Sequence, residues 1–196
     1  MGGTPTGRPR DPAMERKVQV AACRVYGRHG WSGFSIDAVA REAGVGKASI
    51  YLRWSDKHAL LVDVLSSTLI RPGDVDTGSL RGDLVALARH HVGSYVGEHK
   101  EAALRMTTEA PLTPELRATW EAWRESQVLA ARATVRRGIA RGELPRDASV
   151  TLLLDAMFGA ALMHALVTPD ELALRTESDV EDYATALADF VLAAAS

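Results

Sequence analysis

The side chains best suited to binding a polyanion lie close together between Phe34 and Lys57, in the stretch FSIDAVAREAGVGKASIYLRWSDK. A hydroxyl at the start of one helix and a lysine in the first turn of another can bind a phosphate backbone, which positions a protein without reading sequence. Short side chains at Ala48 and Ser49 would let a helix approach base edges, where a methyl group contacts thymine. The chemistry indicated is non-covalent recognition of nucleic acid.

Two short helices are predicted to position these side chains. Ser35 can cap the first helix through its hydroxyl group, and the apolar face of that helix at helical spacing consists of Ile36, Val39, Ala40 and Ala43. Gly44 tolerates the left-handed conformation that ends a helix. A second helix is predicted from Lys47 to about Arg53, with Ile50 directed inward, and Ser55 to Lys57 open a third. This is a helix-turn-helix, whose second helix fits the DNA major groove.

The formal net charge of -2 over 196 residues conceals an asymmetry. Residues 1–60 contain ten Lys/Arg and five Asp/Glu, a balance of +5, whereas residues 61–196 contain thirteen and twenty, a balance of -7. The basic part carries the predicted helix-turn-helix, as phosphate binding requires. Cys23 is the single cysteine and fits a reducing compartment. Since residues 1–10 lack the apolar core of a signal peptide, we expect a cytoplasmic protein.

Catalytic and metal-binding patterns are weak in this sequence. His90 and His91 point about 100° apart on a helix, and neither they nor His99 has a second His or Cys at metal-ligand spacing. The sequence contains no Gly-rich phosphate loop, no His-Glu-x-x-His and no Gly-x-Ser-x-Gly. We therefore expect no enzyme activity, no cofactor and no metal.

The stretch GFSIDAVAREAGVGKASIYLRWSDKHALL resembles the DNA-binding motif of the tetracycline-repressor (TetR) family of regulators. The resemblance is most specific over about residues 14–65, where a preceding helix ends at Gly30 and where Tyr51 and Ser55-x-Lys57 follow at the expected spacing. It continues more weakly to the C-terminus as an all-helical layout.

The resemblance implies roles for individual residues in DNA binding. Lys47, Ala48 and Ser49 are expected to face base edges, and Ser35, Tyr51 and Lys57 match the phosphate-binding positions of the family. Arg53 and Trp54 can also reach the backbone, although either suits a surface or packing role as well. The full predicted DNA-binding set is Ser35, Gly46, Lys47, Ala48, Ser49, Tyr51, Arg53, Trp54 and Lys57.

The chain is predicted to be all-α, with about nine helices in three parts. Residues 1–10 are expected to form a basic arm, which either stays flexible or brings Arg8 and Arg10 to the DNA. Residues 11–65 form the helix-turn-helix domain, and residues 66–196 form a helical effector-binding and dimerisation domain. In the latter, Ser79, Asp147 and a Ser178-x-x-Glu181 capping box mark predicted helix starts.

The family dimerises through its last two long helices, which match about residues 147–167 and 179–194 here. The first of these is apolar on all sides apart from a few residues such as Asp155 and His164. We interpret it as buried within a bundle or between subunits rather than as a membrane span, because a central aspartate costs ~2.5–3.5 kcal/mol in a bilayer.

The family also encloses an effector pocket in this domain. Aromatic residues and methionines with a few polar groups line small-molecule sites, although each such residue also suits an ordinary core. The candidates by residue type are His91, Tyr95, Met106, Trp120, Trp123, Met157, Phe158 and His164.

These features together predict a homodimeric repressor that leaves a near-palindromic operator when a small apolar or aromatic effector binds. The ligand is expected to favour a body conformation that tilts the helix over residues 55–70 and moves the heads out of register. Two alternatives remain at this point. One is an activating or ligand-independent regulator of the same fold, and the other is a helical enzyme or partner-binding protein that reuses the fold.

Overall fold

The structure is a computed structural model that describes residues 12–68 and 75–195, apart from the side chains of residues 66–68 and 170. The predicted arm over residues 1–10 lies outside these ranges. Within them the chain forms nine α-helices and no strand, which confirms the all-α prediction. The helices are α1 Pro12–Gly33, α2 Ile36–Ala43, α3 Lys47–Tyr51, α4 Lys57–Thr68, α5 Leu80–Gly93, α6 Lys100–Glu109, α7 Pro114–Ala140, α8 Val150–Val167 and α9 Glu177–Ala195.

Helix α1 is broken at Gly30, where the sequence predicts that the first helix ends. Gly30 has φ 64°, a left-handed conformation that favours glycine. A Cβ atom at this position would lie 2.7 Å from Glu109 Oε1, so a carboxylate on α6 also occupies the space that a side chain would need. The break lets Trp31 and Phe34 turn into the core, where both are buried.

Helices α1–α4, here called the head, pack around a cluster that includes Val18, Tyr26, Phe34, Ile50 and Leu61. The same buried cluster continues into helices α5–α9, here called the body, through Tyr95, Ala102, Met106 and Leu116. Helix α1 packs along α6, and α4 touches α7. Head and body therefore share a hydrophobic core, in which α1 is in direct contact with α6.

A second buried cluster holds the body together, formed by α5, α7, α8 and α9 with Leu84, Val135, Met157 and Ala184 at its centre. The fully buried carboxylate of Asp83 stabilises the start of α5. It accepts the Thr77 backbone N–H at 2.6 Å, and the Arg141 guanidinium donates to it at 3.3 Å. A buried charge needs such partners to offset its desolvation.

Some predicted helix starts are confirmed and others are wrong. Ser35 and Ser79 cap α2 and α5, because each Oγ accepts a first-turn N–H at 3.1 Å. Helix α8 is capped by Ser149, not by Asp147, since α8 begins only at Val150.

The predicted capping box of α9 is also misplaced by two residues. The reciprocal bonds join Thr176 and Asp179 instead of Ser178 and Glu181. Several Ser, Thr and Asp residues stand near each of these starts, and propensity alone does not choose among them.

Helix α8 is the one helix of the described residues that is long and apolar enough to cross a membrane, with a mean hydropathy of 1.9. It packs on α5, α7 and α9, but only 28% of its span is buried within the chain. Its uncovered apolar side chains include Leu152, Met163, Leu166 and Val167, and Phe190 of α9 is 70% exposed. The single chain thus leaves an apolar face on its last two long helices.

Candidate nucleic-acid interface and body cavity

Helices α2 and α3 form the tight helix-turn-helix that the sequence predicts. Gly44 ends α2 at φ 66° and donates its backbone N–H to the carbonyls of Ala40 and Arg41. Gly46 then precedes the first residue of α3, Lys47, in an extended conformation. The turn is short because glycine adopts the left-handed conformation without a steric penalty.

The outer face of α3 carries the predicted base-reading residues. Ile50 is fully buried and anchors the helix, whereas Lys47, Ala48 and Tyr51 are exposed and Ser49 is half-buried. Helix α3 ends at Tyr51, two residues earlier than predicted. The exposed face is short and slim, as entry into a major groove requires.

Each cationic side chain of the predicted DNA-binding set has a partner within the chain. Lys47 Nζ lies 2.6 Å from Asp37 Oδ2, and the guanidinium of Arg53 forms an ion pair with Glu15. Lys57 Nζ donates to the Trp31 carbonyl at 3.1 Å. The predicted DNA contacts of Lys47 and Arg53 would therefore compete with carboxylates of the head itself.

Trp54 does not fit the role of a backbone contact. Its side chain is only 3% exposed, and its indole Nε1–H donates to Asp63 at 2.9 Å. The sequence left open a packing role for Trp54, and the structure selects that role because its ring belongs to the buried cluster of the head. Arg53 stacks over this ring with its guanidinium carbon 5.2 Å from the centroid.

A cavity of about 360 Å³ lies in the body between α5, α6, α7 and α8. Six of the eight predicted pocket residues line it, namely His91, Tyr95, Met106, Trp120, Trp123 and Phe158. Their rings pack in pairs, with centroids 5.1 Å apart for Trp120 and Trp123 and 4.7 Å apart for His91 and Phe158. Five of these six residues therefore contribute rings to the wall of the cavity.

The other two predicted pocket residues do not line this cavity. Met157 is fully buried in the second core cluster. The ring of His164 packs against Tyr183 with centroids 4.5 Å apart, and its Nδ1 lies 3.1 Å from the Thr168 hydroxyl. Both residues lie on α8, but neither lines the cavity, so residue type alone placed them wrongly.

Sequence reasoning missed eleven lining residues, which follow a helical period. Together with the predicted residues, those on and just after α5 and those on α7 recur at i, i+3, i+4, i+7 and i+8. This helical spacing is a signal in the sequence that could have identified them. The missed residues are Leu87, His90, Ser94, Ala103, Thr107, Arg124, Gln127, Val128, Asp155, Gly159 and Leu162.

The polar groups of the cavity divide into an inner and an outer set. Burial, together with the neighbouring charge of His90, lowers the pKa of His91 to about 4, so its ring is neutral near pH 7. The Tyr95 and Thr107 hydroxyl oxygens lie 3.5 Å apart. The charged lining residues Arg124 and Asp155 are exposed. The arrangement favours a ligand with a neutral, largely apolar body.

A helix-turn-helix head joined to an α-helical body is the architecture of a DNA-binding regulator. The family model described as "Bacterial regulatory proteins, tetR family" matches residues 20–64. A second family model, described as "Tetracyclin repressor-like, C-terminal domain", matches residues 74–187. The chain belongs to the TetR family of DNA-binding transcriptional regulators, as the sequence resemblance predicts.

A relative in sequence agrees with this assignment, and solved structures share the fold. The chain is 31% identical over 170 residues to the uncharacterised HTH-type transcriptional regulator YdeS of Bacillus subtilis, and the match covers 84% of each protein. The fold is similar to that of the regulator FadR from Bacillus subtilis in complex with stearoyl-CoA, with a TM-score of 0.71, 17% identity and coverage of 91% and 97%. It is also similar to the ketosteroid regulator KstR2 of Mycobacterium tuberculosis, with a TM-score of 0.69, 17% identity and coverage of 96% of both chains.

Proposed function

We propose that this protein is a homodimeric repressor that leaves a near-palindromic operator when a small apolar or aromatic effector enters the body cavity. In this proposal residues 11–65 bind DNA, residues 66–196 bind the effector and dimerise, and the protein acts in the cytoplasm without catalysing a reaction. The observation that carries the proposal is the aromatic cavity, which shares α6 with the contact between body and head.

The size and lining of the cavity support an effector of this type. A volume of about 360 Å³ falls within the range of small-molecule sites, which are roughly 300–1,000 Å³. Aromatic rings form part of its wall, and the pKa of His91 is lowered to about 4, so this histidine is neutral near pH 7. Two structural neighbours bear names that refer to stearoyl-CoA and to ketosteroids, both of which have large apolar bodies. A ligand-independent regulator would not need such a space.

The apolar face of α8 and α9 supports the homodimer. Leu152, Met163, Leu166, Val167 and Phe190 are all about half-exposed or more. A second copy of the same two helices would cover this face in a four-helix arrangement. Pairing would place two recognition helices on one side of the DNA, as binding to a near-palindrome requires.

The first test measures binding of the purified protein to DNA flanking its own gene. Fluorescence anisotropy monitors this binding at several salt concentrations, with competitor DNA present. We expect saturable nanomolar binding that survives competitor and protects two symmetry-related half-sites. A screen of neutral ring compounds against that complex should then identify molecules that weaken binding. Ligands that stabilise the protein but leave its operator affinity unchanged would contradict the proposed control of DNA binding by an effector.

A further inference from the structure

Helix α6 presents one face to the cavity and another to the head. Ala103, Met106 and Thr107 line the cavity. On the other side, Arg105 and Glu109 contact the end of α1 around the break at Gly30. One rigid helix of ten residues thus touches both the proposed effector and the segment that leads into the helix-turn-helix.

The contacts between α6 and α1 satisfy backbone groups on both sides of the break. The Trp31 N–H donates to both carboxylate oxygens of Glu109, at 3.1 and 3.3 Å. The Arg105 guanidinium donates to the Gly27 carbonyl at 2.9 Å. In an uninterrupted α-helix the Trp31 N–H and the Gly27 carbonyl would bond each other. At the break, side chains of α6 form hydrogen bonds with both groups instead. The geometry of the break therefore depends on the position of α6.

The other backbone polar group of Trp31 leads to the DNA-binding surface. Its carbonyl accepts a hydrogen bond from Lys57 Nζ at 3.1 Å. The same ammonium group lies 3.9 Å from the centroid of the Trp31 ring, a cation–π contact. Lys57 is the first residue of α4 and one of the predicted phosphate contacts. Trp31 therefore positions this lysine through both its backbone and its side chain.

We propose that α6 transmits the state of the cavity to Lys57 through Glu109 and Trp31. This proposal rests on the proposed control of DNA binding by an effector in the cavity. A ligand that favours a shifted α6 breaks or redirects the Glu109–Trp31 hydrogen bonds, moves the Trp31 carbonyl and withdraws Lys57 from its phosphate. The equilibrium shifts only because the ligand binds the two positions of α6 with different affinity.

This route differs from the one expected from sequence, in which the body tilts α4 directly. Helix α4 touches the body at α7, so both routes are physically available. They differ in their dependence on Glu109. Direct tilting of α4 through α7 does not require that carboxylate, whereas the Glu109–Trp31–Lys57 relay does.

The head half of the relay is tested by a double-mutant cycle in the full-length protein, with DNA flanking its own gene as the probe. We expect Lys57→Gln to weaken binding about tenfold alone, as for the loss of one charged phosphate contact, and less than about twofold in a Glu109→Ala background, which leaves the Trp31 N–H without its acceptor. Glu98→Ala is the matched control, because Glu98 also links the body to α1, 3.2 Å from Arg24, without touching Trp31. Additive effects of Lys57→Gln and Glu109→Ala would overturn the relay.

The cavity half is tested by filling the cavity from its opposite wall. Gly159 of α8 lines the cavity, and a Cβ atom there would meet no atom within 4 Å. We expect Gly159→Phe to weaken DNA binding at least about fivefold in the native background and much less in the Glu109→Ala background. An equal loss in both backgrounds would overturn the relay and leave control by the cavity intact. No loss in either would contradict control by the cavity, and the relay with it.

Hydrogen exchange gives a readout that does not depend on changing Glu109. In the Gly159→Phe protein the Trp31 amide should exchange faster than in the native protein, while amides in the middle of α1 keep their rates. An unchanged Trp31 rate in a folded Gly159→Phe protein would overturn the relay. Thermal unfolding of each variant shows whether it is folded.

Discussion

Lys47 at the start of the recognition helix and Asp37 in the first turn of α2 form an ion pair, with Nζ 2.6 Å from Oδ2. Both side chains are more than half exposed, so the pair itself adds little stability. We expect the pair to weaken DNA binding, because a carboxylate beside α3 attracts the lysine and repels phosphates.

Asp37→Asn should therefore strengthen DNA binding. We expect a gain of about two- to tenfold at low salt, which shrinks as salt screens the charge. Fluorescence anisotropy across a salt series measures it. The exposed Glu125 on α7 is the matched control, since Glu125→Gln removes one negative charge far along the chain from the head. Equal gains from both substitutions would point to net charge instead of the local pair.

Tyr51 and Lys57 are predicted to contact phosphates. Tyr51→Ala and Lys57→Ala should weaken binding to every sequence, and the lysine change should reduce the salt slope by about one unit. Tyr51 is 55% exposed, so its truncation should leave the folded head intact. The measurement is affinity for operator and random duplexes over a salt series. A loss confined to the operator would argue for base reading at these positions.

Ser49 is predicted to face base edges. Ser49→Ala and Ser49→Asn should change which operator variants bind best, with about 1–3 kcal/mol of altered discrimination at the base pair concerned. A competition assay with a library of operator variants measures the preference. If the two substitutions lower affinity uniformly across the library, Ser49 contacts the backbone instead.

Phe190 is expected to lie in the dimer interface, since its ring is 70% exposed on α9. Phe190→Asp should convert the dimer to monomer at micromolar concentration, because it buries a charge without a partner. Sedimentation velocity measures the change. Leu112, 77% exposed outside α8 and α9, supplies the control Leu112→Asp. A Phe190→Asp protein that remains dimeric would locate the interface elsewhere.

His91 should make the stability of the fold depend on pH. Burial lowers its pKa to about 4, below the ordinary value of 6.5. Between these values the unfolded state binds more protons, so the free energy of unfolding falls as the pH drops from 6.5 to 4, by about 3 kcal/mol. Denaturant unfolding of the native and His91→Leu proteins measures this loss, which the variant should largely lack. His29→Leu, at an exposed position on α1, should keep it.

The sequence predicted the head well because its structure depends on local chemistry. Ser35, Gly44 and Ile50 each act within a few residues of their neighbours, through a cap, a left-handed turn and a single inward anchor. Trp54 was ambiguous for the opposite reason. Whether its ring faces solvent or the core depends on Asp63 and on the packing of α4, which no local pattern specifies.

The cavity shows the same division. Residue type selected six of its lining side chains, but it also selected Met157 and His164, which point elsewhere on α8. Composition indicates which residues suit a ligand, whereas the rotation of each helix against its neighbours decides which of them face it.

By itself, the sequence determined the helical fold, the family, the helix-turn-helix and the basic charge of the head, because periodicity, glycine turns and charge are local properties of the chain. Only the tertiary structure decided that Glu109 satisfies the Trp31 N–H, 78 residues away along the chain, and that the Trp31 carbonyl holds Lys57. Such contacts arise from the packing of α1 on α6. The Gly30 break exposes the backbone groups, and the fold alone determines which side chains reach them.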